Sequence, residues 1–341
     1  MVTMIILLFI FNQIGKYTDT PEKNHNSAPK HYFPRFAYFN PNPTDEIDPA
    51  TGEPAKWKKG DCVVRAFCGV LDLPWEEVYS DLCAIGAEYH DLPNSDQVWK
   101  HYAKQKGLAR MKRPDMNVSE FAASHDGVYL VMLKSHAVCV KGNKVQDCSD
   151  SGWGRIRSCY EIVGTPSNEM APSKRKRKNA KGPSDIEKEV LAEMEKNGGL
   201  YLPEDDKAFV YFNPNPEAVV DEAGRHASWN YCDNVIRAFC GVLNLSWQTV
   251  YTDLCKLGKE MHDMPDSRDV IIRYAKEQGL IKKTLSSSMT LSSFAKTHDG
   301  EYLIQFKLGL NPELTCIKEN KVYDIWGYGS RKFRTYYVKA S

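Results

Sequence analysis

The sequence predicts an α+β protein made of two tandem copies of one unit, each a helical N-terminal part with a central helix packed on a small antiparallel sheet. Three observations carry that expectation. First, the chain is an internal duplication: Phe36-Ala37-Tyr38-Phe39-Asn40-Pro41-Asn42-Pro43 returns as Phe209-Val210-Tyr211-Phe212-Asn213-Pro214-Asn215-Pro216. The match continues through Trp75/Trp247, Asp81-Leu82-Cys83/Asp253-Leu254-Cys255, His90-Asp91/His262-Asp263 and His125-Asp126-Gly127/His298-Asp299-Gly300. Units this long are globular domains, since a solenoid uses shorter and more numerous repeats. Second, the first half of each copy has helical spacing of apolar residues. Third, the second half changes to short β-rich runs around a turn signal.

In order along copy one, the first helix follows Gly60-Asp61 and runs through Cys62-Val63-Val64-Arg65-Ala66-Phe67-Cys68-Gly69-Val70-Leu71, with Asp61 read as its cap. A second begins at Pro74 or Trp75, Pro74 suiting a first helical position, and carries Val78, Leu82 and Ile85 on one face. A third spans about Ser95 to Lys106 and stops at Gly107, and a short fourth covers about Val118 to Ala123. Gly127–Leu133 and Ser135–Lys141 then read as strands, Gly142-Asn143 as a two-residue hairpin turn, and Lys144–Cys148 as the return strand.

Composition excludes little: 341 residues, 42% hydrophobic and a formal charge of +1 describe an ordinary globular chain whose charge names no partner. The divisions expected are 1–35, an apolar N-terminal segment and loose tail; 36–163, the first domain; 164–207, a linker; and 208–341, the second domain. The apolar run Met1–Phe11 is shorter than the roughly 20 residues of a membrane span, and it lacks the basic region and cleavage site of a signal peptide. It reads either as a tail packed on the protein or a misplaced start, or as a weak export or membrane-association signal. The linker holds Lys174-Arg175-Lys176-Arg177-Lys178, a solvated charge run or else a nuclear-import or nucleic-acid patch, and then a short helix over Ser184–Lys196. The ten cysteines form no C-x-x-C pair, and several recur inside apolar patterns, so free buried thiols in a reducing, cytoplasmic compartment are expected, with no metal and no cofactor.

The chemistry concentrates on three residues. Cys62 stands at a helix start, where the backbone N–H groups and the helix dipole favour a thiolate, the nucleophilic form. If Lys141 and Lys144 flank the turn, Val138 falls opposite Asp147, which makes His136 a diagonal neighbour of Asp147 on the same face, about 7–8 Å away at Cβ or less. A carboxylate on one ring nitrogen fixes the histidine and leaves the other nitrogen to take a proton from a thiol. Each residue also has a bland explanation: a structural cysteine, a strand-end histidine, a turn-forming aspartate. The internal duplication separates the two readings. Copy two has Asn234 for Cys62 and Glu313 for His136, while Asp147 persists as Asp324 within the same apolar scaffold. Packing residues would be kept with the scaffold; the two lost are those that chemistry requires. Arg65 and Arg237, present in both copies, are expected to pair with a carboxylate, and His90, His125, His262 and His298 carry no assigned chemistry.

With Asp61-Cys62, His136 and Asp147 in that order, each copy resembles the papain-like cysteine peptidase superfamily in its compact bacterial and phage forms. Among these it is nearer the cell-wall amidase and bacteriocin-leader peptidase branches than papain itself. The resemblance covers about Phe36 to Ile162. It implies a cysteine hydrolase of the peptidase or isopeptidase kind, with a Cys62–His136–Asp147 triad, a protein or peptide substrate, and no specific nucleic acid or firm membrane anchor. Nothing in the sequence specifies an oligomeric state. One departure stands out: the family places a Gln or another polar oxyanion donor shortly before the Cys, whereas Trp57-Lys58-Lys59-Gly60-Asp61 contains neither Gln nor Asn. Copy two then reads as an inactive domain that stabilises copy one or holds substrate through residues such as Trp326 and Tyr328. The alternative to an enzyme is a non-catalytic protein-binding module on the same scaffold, such as a phage or bacterial inhibitor or adaptor.

Overall fold

The computed structural model of the chain describes residues 35–44, 60–163, 209–216, 233–306, 312–325 and 329–340. The apolar N-terminal run, the linker with its expected helix over Ser184–Lys196, the residues Trp57 to Lys59, and Trp326 and Tyr328 lie outside them.

Repeat one contains β1 (Phe36–Tyr38), α1 (Cys62–Leu71), α2 (Trp75–Tyr89), α3 (Asp96–Gln105), β2 (Leu108–Arg110), α4 (Val118–Ser124), β3 (Val128–Met132), β4 (Ala137–Lys141), β5 (Lys144–Asp147) and β6 (Ser158–Ile162). Repeat two follows the same plan with β7 (Phe209–Tyr211), α5 (Asn234–Leu243), α6 (Trp247–Met261), α7 (Arg268–Glu277), β8 (Leu280–Thr290), α8 (Leu291–Thr297), β9 (Tyr302–Phe306), β10 (Glu313–Lys318), β11 (Lys321–Asp324) and β12 (Lys332–Lys339). The α+β class and the duplication therefore stand.

The sheet departs from the expected small antiparallel one. In each repeat six strands join in the order β1-β5-β4-β3-β6-β2, or β7-β11-β10-β9-β12-β8, and the edge strand β1 runs parallel to β5. Three strands in repeat one are additional to those expected: β1 and β2, of three residues each, and β6, of five. The hairpin itself has the expected register: Lys141 faces Lys144, Val140 faces Val145 and Cys139 faces Gln146. Gly142 (φ 54°) and Asn143 (φ 59°) both take the left-handed conformation that a two-residue turn of this kind needs.

Strand alternation divides the interior into two layers. Leu130, Ala137, Cys139 and Tyr160 face α1, α2 and α3, while Tyr129, Val131, Val138, Val140 and Val145 face α4 with Phe121 and Val118. Helix α1 lies deepest, with Val63 through Val70 all buried. Its close approach to β4 depends on Gly69, where a Cβ would come within 2.9 Å of Cys139 Cβ. Asp72, at φ 53°, ends α1 in the left-handed region that short polar residues tolerate. Helix α2 starts at Trp75, the second of the two starts read from sequence, with Pro74 outside it as the cap residue. Helix α4 opens on a capping box between Asn117 and Glu120.

The two repeats share an interface built from matched residues. Tyr79 Oη–H donates to the Cys255 carbonyl (3.1 Å) and Tyr251 Oη–H to the Cys83 carbonyl (2.9 Å). Gly86 and Gly258 make room, since a Cβ at either would overlap the opposing tyrosine hydroxyl. Each repeat also lends a residue to the other's core: Leu92 belongs to the repeat-two cluster and Met264 to the repeat-one cluster. The units are thus not two independent globules.

The nine cysteines among the described residues are free thiols. No helix among the described residues is long and apolar enough to cross a membrane, and no group of three or more His, Cys, Asp or Glu among them is arranged to hold a metal ion.

Candidate functional site

The site forms where the start of α1 meets the open end of the β4–β5 hairpin. Cys62 is the first residue of α1 and is half-buried. The residue before it, Asp61, does not cap the helix through its side chain as the sequence suggested. Its carboxylate is fully buried and is occupied otherwise: Arg65 Nη1 donates to Oδ1 at 2.8 Å, while Trp75 Nε1–H and Asn42 Nδ2–H donate to Oδ2 at 2.9 Å each. The reason is electrostatic. A buried guanidinium needs a counter-charge, and the carboxylate one turn back along the helix supplies it at fixed geometry.

His136 stands one residue before β4, on the turn closed by Leu133 N–H donating to its carbonyl at 2.8 Å. Its Nε2 lies 2.6 Å from Asp147 Oδ2, the contact the hairpin register foresaw. Asp147 is buried at the end of β5 and is held from several sides. The Cys148 N–H donates to its Oδ1 at 2.8 Å, Arg65 Nη2 stands 3.6 Å from the same oxygen, and the Ser151 hydroxyl donates to Oδ2. Arg65 therefore spans two buried carboxylates, Asp61 and Asp147, which is the pairing its recurrence in both copies suggested.

These contacts set the charge state of the pair. Burial opposes the charged form of His136, but its hydrogen bond to Asp147 and its electrostatic interactions with Asp147 and Cys62 outweigh it and push its pKa up to about 10. With Nε2 committed to Asp147, Nδ1 is the nitrogen left for the sulfur. Burial likewise disfavours the Asp147 carboxylate, yet His136, Ser151 and Arg65 together hold its pKa below the usual carboxylate value. At neutral pH the histidine is an imidazolium clamped by a carboxylate. Burial pushes the thiols of Cys68, Cys139, Cys148 and Cys159 up to about 12.

Of the three residues singled out in the sequence, His136 and Asp147 are in direct contact, and Cys62 acts on the same imidazole from the head of α1. Sequence reasoning missed the supporting shell of Asn42, Ser151 and Trp75, although Asn42 and Trp75 recur in both copies and that recurrence marked them as a shared framework.

Repeat two retains the framework without the reactive groups. Asp233 accepts from Arg237, from Trp247 Nε1–H (2.8 Å) and from Asn215 Nδ2–H (2.8 Å), and Arg237 Nη2 lies 3.7 Å from Asp324. Asn234 holds the place of Cys62, and Glu313 pairs with Arg331 where repeat one has His136 and Gly154. Without an imidazole beside it, Asp324 is dominated by burial, which raises its pKa despite Arg237. The four retained histidines are structural. His90 and His262 end α2 and α6 in the left-handed conformation, and their rings sit edge-on against Trp247 and Trp75 of the opposite repeat. His125 and His298 stack on Phe121 and Phe294.

Comparison with known protein families, with characterised proteins and with solved structures finds no match to this chain.

Proposed function

We propose that the chain is a thiol acyl hydrolase, with Cys62 as nucleophile, His136 as acid–base and Asp147 as its orienting carboxylate. Within that class we read it as a papain-like enzyme of the peptidase or isopeptidase kind that cleaves amide or thioester bonds of a protein or peptide. Repeat two is its non-catalytic half. The observation that carries the reading is the His136 Nε2–Asp147 Oδ2 contact at 2.6 Å, with Cys62 near enough to the same ring to help raise its pKa.

In the reaction Cys62 attacks the substrate carbonyl carbon as the thiolate, its proton having gone to His136. The imidazolium of His136 gives its Nδ1 proton to the leaving amine or thiol, and a thioester on Cys62 results. Neutral His136 then takes a proton from water, the hydroxide adds to the thioester, and the acid leaves as the sulfur recovers its electrons. The N–H of Cys62 at the head of α1 can donate to the oxyanion. Trp153, 75% exposed and two residues beyond Ser151, offers an apolar surface for substrate.

The direct test is acylation by p-nitrophenyl acetate. A burst of about one nitrophenolate per chain, with acetyl found on Cys62 by peptide mass spectrometry and lost in Cys62→Ser and His136→Ala, is the expected result. Slow release without a Cys62 adduct would overturn the reading. A second reading, a non-catalytic binding module on this scaffold, draws its support from repeat two, where the framework persists without Cys and His.

A further inference from the structure

We propose that repeat two positions the reactive centre of repeat one, and that Asn42 is the positioning residue through which it does so. The inference rests on the thiol-hydrolase reading above and gives a role to the half of the chain that lacks the cysteine and the histidine.

The path consists of direct contacts. The His262 carbonyl of repeat two accepts from Asn42 Nδ2 at 2.8 Å, and the same amide donates to Asp61 Oδ2 at 2.9 Å. Asn42 Oδ1 accepts from the Thr44 N–H (3.0 Å) and hydroxyl (2.7 Å), so both ends of the amide are engaged and only one orientation satisfies them. Asp61 Oδ1 takes Arg65 Nη1, and Arg65 Nη2 reaches Asp147, which holds His136. A second route converges on Asp61: Trp75, whose Nε1–H donates to it, makes an edge-on contact with the His262 ring at 5.6 Å between centroids. Met264 of repeat two also adjoins Gly60, two residues before Cys62. An Asp61 held on both oxygens fixes the guanidinium, and a fixed guanidinium limits where the Asp147 carboxylate can sit.

The mirror path supplies an internal control. Asn215 Nδ2 donates to the His90 carbonyl (2.9 Å) and to Asp233 (2.8 Å), and the chain runs through Arg237 to Asp324, where there is no histidine to position. Removing either asparagine deletes the same two donated bonds, one to the opposite repeat's carbonyl and one to the aspartate of its own repeat. Only one of the two deletions reaches a reactive group.

The experiment compares Asn42→Ala with Asn215→Ala in the full chain, by acylation rate with p-nitrophenyl acetate, by thermal midpoint and by the NMR titration of the His136 ring. Comparable drops in thermal midpoint are expected for both. The acylation rate falls about 10–100-fold only in Asn42→Ala, the scale that a small misplacement of a reacting group produces. The His136 titration midpoint moves toward that of a free imidazole only in that variant. Equal acylation rates and equal His136 titrations in the two variants would overturn the proposal. If Asn42→Ala does not fold, the matched pair Trp75→Phe and Trp247→Phe probes the same carboxylates and is judged in the same way. A wild-type chain that does not acylate at Cys62 sinks the hydrolase reading and this inference together; an acylating wild type with matched variants sinks this inference alone.

Discussion

His136 and Asp147 form an ion pair whose dependence on pH follows from their two shifts. The folded-state pKa of His136, about 10, lies above the ~6.5 of a free imidazole, so its contribution to stability is complete below about pH 6.5 and is lost as pH rises through about 10. Asp147 is shifted the other way. Its contribution is present above the ordinary carboxylate range and disappears as pH falls through its lowered value. The difference in thermal midpoint between wild type and His136→Ala should therefore be largest between weakly acidic pH and about pH 6.5, and should shrink toward pH 10 and in strong acid. A difference that stays flat from pH 5 to 10 would contradict the assigned charge states. Arg65 belongs to the same scale. Replacing it by Met leaves Asp61 and Asp147 buried without their cation, and a loss of about 3–5 kcal/mol in denaturant unfolding is expected.

Elements account for how these residues meet. Helix α1 can carry Cys62 to the end of the hairpin only because Gly69 lets it lie against Cys139, and Gly241 repeats the arrangement against Cys316 in α5. Gly69→Ala should cost about 1–3 kcal/mol through overpacking, and Gly241→Ala a similar amount, measured by urea unfolding; a loss under about 0.5 kcal/mol in both would contradict the packing. The helices and the hairpin were legible in the sequence because each has its own local signal: apolar spacing for α1 to α3, and Gly142-Asn143 for the turn that fixes the register and so the meeting of His136 with Asp147. The outer strands were not legible. β1 and β2 have three residues each, too few for a periodicity to show, and β1 pairs with β5, Phe36 opposite Val145, across more than half of the repeat. The role of Asp61 was misread for a related reason. As a residue before a helix it looks like a cap, and only the fold shows that Arg65, Trp75 and Asn42 converge on it.

For the whole molecule, duplication produced two halves that are no longer separable. Leu92 and Met264 each complete the other half's core, and Tyr79 and Tyr251 exchange hydrogen bonds across the interface. Trypsin acting at Lys174–Lys178 should thus yield fragments that still elute together from a gel-filtration column, and Gly86→Ala, which drives a methyl into Tyr251, should weaken that association. Independent elution of the fragments from the wild-type chain would contradict a shared interface. The equivalence of the halves was plain from the repeated Phe-Asn-Pro-Asn-Pro segments. What sequence could not supply was that the second asparagine of each segment reaches into the other half, because no local pattern marks a contact between Asn42 and His262.

The central claim is that Cys62 is activated by His136, and it is tested most directly by the rate at which iodoacetamide alkylates Cys62, resolved from the other nine cysteines by mass spectrometry, in wild type and in His136→Ala. Cys62 should react ahead of every other cysteine at pH 6 to 7, with the rate falling at least about tenfold in His136→Ala. A Cys62 that reacts no faster than the other thiols, at a rate the substitution leaves unchanged, would contradict it.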